Sequence, residues 1–372
     1  MVTHRILVTG GLGFIGSHIT ERLLELGHDV RILDSSDPQV HRGSPRTPEG
    51  ARLINGDVRA LESWREALQD VEVVFHEAAA VGIGQSMYQV SRFVEVNSMG
   101  TARLLEYLAN EEHQVRKLVV ASSNTVYGEG AYRCGDCGNV YPGLRSEEDL
   151  KRGSWELGCP GCGKPLESVA TPEDKPLSPT SIYAITKRDQ EEMCLSVGGA
   201  YGIPTVALRY FCVYGPGQSL SNPYTGVTAI FYSRVMGGNA PVVYEDGMQT
   251  RDFLYVEDAV RANLLALRKS SMNYCSFNVG TGVPVSILDV ARAISKGLGR
   301  EIEPEVTGRY RAGDIRHCYA DISRIEKHGY RPSINFTGGI SNFIRWADDK
   351  AAQDGFDEAN LELEKRGLLS RD

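Results

Sequence analysis

The feature that most restricts what this chain can become is the stretch 5–34, RILVTGGLGFIGSHITERLLELGHDVRILD. Ile6, Leu7 and Val8 form an apolar run without alternation, as expected of a strand buried on both faces. A turn follows over 9–13. Phe14, Ile15, Ile19, Leu23, Leu24 and Leu26 then recur at helical spacing until Gly27 stops the helix. Val30, Ile32 and Leu33 read as a second strand ending on Asp34. The whole is one βαβ unit.

The glycines of that unit carry chemistry. Gly11, Gly13 and Gly16 fit G-x-G-x-x-G, and Gly10, Gly13 and Gly16 repeat every third residue. A side chain in this turn would hold a pyrophosphate away from the backbone. Glycine admits it, and the helix N-terminus offers unpaired N–H groups to the anion. The pattern follows a strand, opens a helix and has an acid at the next strand end, which predicts dinucleotide binding. Asp34 is suited to the adenosine ribose hydroxyls and would repel a 2′-phosphate. Ser35, Ser36 and Asp37 add no cation, so NAD is expected rather than NADP.

Further strands are expected at 52–55, 71–76 and 118–122, with a long helix over 91–109. Strands alternating with helices predict a Rossmann-like, doubly wound parallel sheet, with ligands beyond the carboxyl ends of its strands. Asp57, Ala78, Asn97 and Ser123 fall at or near that edge. The expected organisation is a dinucleotide-binding domain over 1–209 and a smaller lobe over 210–350, exchanging elements, then a charged, helix-prone tail over 351–372. In the lobe, a loop and helix are expected over 222–238, short strands at 242–244 and 251–256, and helices at 256–268 and 287–298. A net charge of −8 argues against a nucleic-acid-binding surface. No apolar run spans a bilayer, and the first strand begins almost at once, so a cytoplasmic protein is expected, without a membrane partner.

Between 130 and 170 the alternation breaks around two C-x-x-C pairs, Cys134 with Cys137 and Cys159 with Cys162. Each pair ends in Gly, which lets following amides turn towards the thiolates. Four sulfurs in two tight turns suit a closed, structural Zn²⁺ site, a zinc ribbon; labile disulfides or free thiols are the alternative. Four cysteines leave no open position for catalytic zinc. The insert mixes Arg133, Arg145, Glu147, Glu148, Asp149, Lys151 and Arg152, which speaks against nucleic acid. It could cap a substrate or add an interface. Cys194, Cys212, Cys275 and Cys318 are scattered and read as core thiols.

Beyond the insert, Ser181-Ile-Tyr183-Ala-Ile-Thr-Lys187 opens a helix running to about Tyr201, so Tyr183 and Lys187 share one face. Tyrosine is a poor base with a free pKa of about 10. A nearby ammonium lowers the cost of the phenolate, giving a base for a secondary alcohol.

These pieces, with VFHEAAAV, VNSMGT, ASSNTVYGEG, LRYFCVYGPGQ, QTRDFLYVEDAV, FNVGTG and RAGDIRHCYAD, occur in an order that resembles the extended short-chain dehydrogenase/reductase family, specifically its nucleotide-sugar epimerases and dehydratases. The Cys-rich insert resembles a subgroup of sugar 4-epimerases. The resemblance implies Ser123, Tyr183 and Lys187 as the catalytic set. It implies Gly10, Gly13, Phe14 and Ile15 at the pyrophosphate, Asp34 at the ribose, and Asp57 with Val58 at the adenine. Ala78, Ala79 and Asn97 would line the cofactor, and Phe211 its nicotinamide end. Arg251 and Arg311 would grip the sugar nucleotide, with Asp314 and Cys212 also at the substrate. A diphosphate calls for cations in fork geometry. Cys212 stands where the family usually has Asn, so substrate contacts there are rewired.

The implied reaction is C4 epimerisation: transient oxidation, rotation of the keto sugar, and hydride return. Dehydration would need an acid pair after Ser123, where Asn124 and Thr125 stand, and a decarboxylase would want a glutamate at Thr125. A net reductase and an inactive dinucleotide-binding scaffold are the remaining alternatives. A homodimer through helices 91–109 and 181–201 is implied by resemblance.

Overall fold

The structure is a computed structural model, and it describes residues 3–41, 45–224 and 226–370. Seven parallel strands form the central sheet: β1 (Arg5–Thr9), β2 (Asp29–Asp34), β3 (Arg52–Asn55), β4 (Val73–His76), β5 (Lys117–Ser123), β6 (Thr205–Tyr210) and β7 (Cys275–Val279). Their spatial order is β3-β2-β1-β4-β5-β6-β7. The order reverses between β1 and β4, and in open α/β sheets the ligand crevice opens at that reversal.

The apolar runs of these strands serve two cores at once. Ile6 and Val8 of β1, Phe75 of β4, Val119 of β5 and Leu208 of β6 face one layer, with Ile19 and Leu23 of the first helix. Leu7, Val74, Leu118, Val120 and Ala207 face the other, with Trp64, Leu104 and Cys194. Alternation is present in direction but hidden in polarity, because helices cover both faces.

β7 comes from the second half yet closes one edge of the central sheet, and the helix Val256–Arg268 contributes Val260, Ala262 and Leu264 to the first core. The remainder of that half has its own sheet of Cys212–Tyr214, Thr250–Tyr255, Pro284–Ser286 and His317–Cys318. Helices Val227–Met236, Ile287–Gly297 and Phe336–Ala347 pack beside it around Tyr214, Phe231, Tyr232, Phe253 and Phe343. The expected elements at 242–244, 251–256 and 287–298 lie within a residue or so of those observed. Thr225 of the expected loop, and Arg371 and Asp372 of the tail, lie outside the described residues.

The insert is a three-stranded antiparallel sheet, Ala131–Cys134, Gly138–Val140 and Glu167–Val169, with a short helix at Glu147–Lys151. The long helix expected over 91–109 runs from Val90 to Asn110 but is widened to π geometry over Val94–Met99. That bulge carries Asn97. Its wholly buried side chain donates to the Ala80 carbonyl at 3.1 Å and to Thr186 Oγ1 at 2.9 Å, and accepts from the Ala80 amide at 2.7 Å. A helix turned by one extra residue brings this amide to both neighbours. Among the described residues no helix is long and apolar enough to cross a membrane.

Candidate active site

The carboxyl ends of β1, β4, β5 and β6 converge on one edge. After β1, Gly10 adopts φ +66°, and a Cβ there would lie 2.9 Å from both Cα and N of Ala78, just past β4. A Cβ on Gly16 would lie 2.2 Å from the Gly10 carbonyl oxygen. The loop is therefore pressed against β4 and against its own helix. Gly13 is the N-cap of that helix (Phe14–Glu25) and supplies no capping side chain, so the helix end is uncovered where Phe14 and Ile15 begin. This is a cradle for an anion with a backbone-lined floor. Asp34 closes it: its carboxylate accepts the Leu12 amide at 3.0 Å and the Ser36 amide at 2.9 Å. His41 lies 4.0 Å from it, a neighbour that the local reading of 35–37 does not reveal.

Asp57 is bound by Arg59 through three side-chain contacts of 2.6–3.0 Å, which hold its carboxyl below the usual range. The Val58 carbonyl accepts Trp64 Nε1 at 2.7 Å. Ala78 and Ala79 are half-buried on the loop after β4, and Phe211 is buried beside the Tyr127 ring.

Ser123 ends β5. Its Oγ accepts from the Thr125 amide at 3.2 Å and from Thr125 Oγ1 at 2.9 Å. With both acceptor positions used, its own proton is left to donate, and its effect on the nearby Tyr183 phenol is to favour the ionised form. Tyr183 lies in the first turn of helix Ile182–Tyr201, whose N-cap Ser181 accepts the Ala184 amide. Burial pushes the phenol up to about 12, and Ser123 opposes that rise. Ser123 thus favours the phenolate that a base requires.

Lys187, one turn on, is buried and donates to Gln190 Oε1 at 2.8 Å. Gln190 Nε2 donates to Thr101 Oγ1 at 2.8 Å, and Thr101 donates its own proton to the Asn97 carbonyl at 2.7 Å. Thr101 can then only accept at 2.9 Å from His76, which makes Nε2 of His76 the protonated nitrogen. His76 Nδ1 accordingly accepts from Thr9 Oγ1 at 2.9 Å, which accepts from the Ala78 amide at 3.1 Å. Burial drives His76 down to about 3, consistent with this neutral ring. One hydrogen-bonded chain therefore ties the lysine to the loop opposite Gly10.

Sequence reasoning missed Glu77. It follows β4, accepts from Tyr210 OH at 3.1 Å, and Tyr210 is itself held by Asn263 at 2.6 Å. Burial raises the Glu77 carboxyl and lowers the Lys187 amine, and each opposite charge resists the other's shift. An acid in VFHEAAAV gives no signal of its own; only the fold brings it to the lysine.

Cys212 begins a strand paired to Phe253 and is electrostatically coupled to Tyr183 and Arg251. Burial pushes its thiol up to about 11, so it stays protonated. Arg251 donates to the carbonyls of Thr250, Ile315 and Arg316 at 2.7–2.9 Å. Arg311 pairs with Asp314 at 2.8 Å and lies over the Tyr244 ring at 5.1 Å. A cleft lined by Met87, Thr180, Ser181, Arg311, Gly313 and Leu363 lies beside the start of the Tyr183 helix. The tail, without motif in the sequence, reaches it: Ala312 N bonds the Leu368 carbonyl at 3.0 Å, and Ser370 N bonds Tyr310 O at 2.9 Å.

In the insert, Cys134, Cys137, Cys159 and Cys162 bring four Sγ atoms within 4.8 Å of one another. A tetrahedral metal with metal–sulfur bonds of ~2.3 Å requires sulfur spacings of ~3.8 Å, and the cluster's separations, from 3.5 Å for Cys134–Cys162 to no more than 4.8 Å, bracket that value. All four are free thiols, and the amides of Cys137 and Asp136 hold the Cys134 thiol below its ordinary value.

The sequence profile of the NAD dependent epimerase/dehydratase family matches residues 6–143 and 160–280, omitting part of the insert. The chain is 36% identical over 348 residues to dTDP-L-rhamnose 4-epimerase of Burkholderia thailandensis, spanning 92% of this chain and 94% of that one. It is 31% identical to a putative UDP-glucose 4-epimerase of Methanocaldococcus jannaschii, spanning 92% and 97%. The crystal structure of Thermus thermophilus UDP-glucose 4-epimerase in complex with NAD superposes with a TM-score of 0.73 at 31% identity, covering 93% of this chain and all of that one.

Proposed function

The chain belongs to the NAD dependent epimerase/dehydratase family, and from that premise we propose that it is a nucleotide-sugar 4-epimerase for a dTDP- or UDP-linked hexose. The observation that carries the choice of reaction is Thr125. Elimination across C5 and C6 needs an added acid and base after the catalytic serine. Here Thr125 instead directs its amide and hydroxyl to Ser123, and Asn124 is buried and carries no ionisable group.

NAD, when bound, supplies the acceptor and later the donor of the C4 hydride. The Gly10–Ala78 cradle, the uncovered helix start at Phe14 and the Asp34 carboxylate suit its diphosphate and ribose. Tyr183, as phenolate, takes the C4 hydroxyl proton and returns it after the keto sugar has turned. Ser123 donates to the same oxygen and orients it. Lys187, held by Gln190 and one helical turn from Tyr183, supplies the positive charge that lowers the cost of the phenolate. Arg251 and Arg311 hold the diphosphate, with Asp314 aiming Arg311 and Cys212 beside the sugar. The four-cysteine cluster holds a structural zinc. Exposed Val90, Val94 and Ile185 on the two long helices support a homodimer.

The test is incubation with a panel of dTDP- and UDP-hexoses, following C4 configuration by NMR. Inversion is expected without stoichiometric consumption of added NAD or NADH. Net formation of either would point to a dehydrogenase or reductase. Silence with every sugar nucleotide, from wild type and Tyr183→Phe alike, would favour the scaffold.

Glu77→Gln provides a pH test. The Glu77 carboxylate raises the Lys187 pKa, against a larger lowering by burial. Removing the anion leaves the lysine to lose its proton at lower pH. The alkaline limb of kcat/KM is expected to move down in pH, with activity retained on the acid side. An unmoved limb would separate Glu77 from Lys187.

A further inference from the structure

Both roots of the cysteine-rich insert are fastened to the segment that carries the substrate arginine. At its entry, the Gly130 amide donates to the His317 carbonyl at 2.9 Å, and a Cβ there would lie 2.4 Å from that oxygen. At its exit, the Thr171 amide donates to the Tyr319 carbonyl at 2.8 Å, and the Asp321 amide returns a bond to Thr171 at 3.0 Å. Glu129, next to the entry, accepts the amides of Arg316 at 2.7 Å and His317 at 2.8 Å.

The loop between the two Cys pairs adds side chains. Arg145 forks onto both oxygens of Glu245 at 2.8 Å and donates to the Asp314 carbonyl at 3.1 Å. Glu245 also accepts from Arg316 at 3.0 Å, and Arg316 reaches Glu156, three residues before Cys159, at 2.5 Å. The side chains of Arg145, Glu245 and Arg316 are 3%, 3% and 1% exposed. Charges this deeply buried are stable only while every partner stays in place. Glu245 itself holds φ +53°, a conformation non-glycine residues adopt only when their surroundings require it. The same three-residue stretch, 314–316, gives its carbonyls to Arg145 on one side and to Arg251 on the other.

We infer that the insert is a strut: with its four thiolates tied together, Arg145 and Glu156 hold segment 314–316 and thereby set the positions of Arg251 and Arg311. Metal loading then governs the grip on the sugar nucleotide while leaving the chemistry at Tyr183 and the dinucleotide cradle unchanged. The inference rests on the proposed role of those arginines in substrate binding. It makes Arg145 a positioning residue, since it touches neither the cradle nor the catalytic side chains.

The experiment compares the metal-loaded enzyme with Arg145→Met, with Glu156→Gln, and with wild type stripped of metal by a chelator. Two readings are taken: deuterium uptake of peptides covering 309–318 without substrate, and the KM–kcat split with substrate. All three samples are expected to take up deuterium faster over 309–318, with uptake over 5–34 unchanged. KM is expected to rise about tenfold or more in Arg145→Met and in the stripped enzyme, and less in Glu156→Gln, whose side chain is partly exposed. kcat should stay within about threefold, and bound NAD should be retained. Unchanged uptake over 309–318 in every folded sample overturns the strut, as does a loss confined to kcat. Should Arg145→Met fail to fold, Glu156→Gln and the stripped enzyme carry the same readings. If uptake rises but wild type turns over no sugar nucleotide, the strut stands and the epimerase reading falls.

Discussion

Tyr183→Phe is expected to lower kcat by about 10³-fold, the scale on which a positioned proton-transfer group contributes. The substitution removes one oxygen and little else. The Tyr183 amide keeps its bond to Ser86 Oγ, the Ser181 cap keeps the Ala184 amide, and the ring keeps its edge-on contact with Phe93 at 6.4 Å. Neither Gly10 nor Asp34 loses a partner. Bound NAD, measured by release on denaturation, should therefore match wild type while C4 inversion in the NMR assay disappears. An active Tyr183→Phe would remove the phenol from the chemistry.

Gly10→Ala is expected to weaken NAD binding by about 10²-fold. The left-handed φ costs an alanine about 1–2 kcal/mol, and the new methyl must displace the backbone of Ala78 from 2.9 Å. A combined penalty of about 3 kcal/mol corresponds to that loss in affinity if it falls on the bound state. Gly27→Ala separates strain from site: it also requires positive φ, +80°, but meets nothing within 4 Å. Gly27→Ala should lower the melting temperature slightly and leave the NAD titration unchanged. Equal losses of affinity in the two variants would mean that the cradle at Gly10 has no special role.

The parts of this molecule legible in the sequence are those that local rules specify. The turn at Gly10 needs a backbone without Cβ, the helix from Phe14 repeats its apolar face within a few residues, and Tyr183 and Lys187 share a face because they lie one turn apart. The four-cysteine cluster was equally plain, since C-x-x-C makes its own tight turn. The π bulge was not legible, because Asn97 widens the helix in response to Ala80 and Thr186, one on a loop and one on another helix.

The amino-acid order alone determined the βαβ unit, the acid at its second strand end, the shared helix face of Tyr183 and Lys187 and the two C-x-x-C turns, since each depends on periodicity or dihedral preference over a few residues. Only the folded chain decided that Glu77 comes near enough to Lys187 for each charge to act on the other, that Thr125 fills the acceptor positions of Ser123, and that the tail reaches the Arg311 segment. It alone brought Arg145 to Glu245 across 100 positions of sequence, and Glu245 to Arg316 across 71. Burial in a shared interior is what makes those pairings obligatory, and burial is a property of the packed layers that no short window of residues contains.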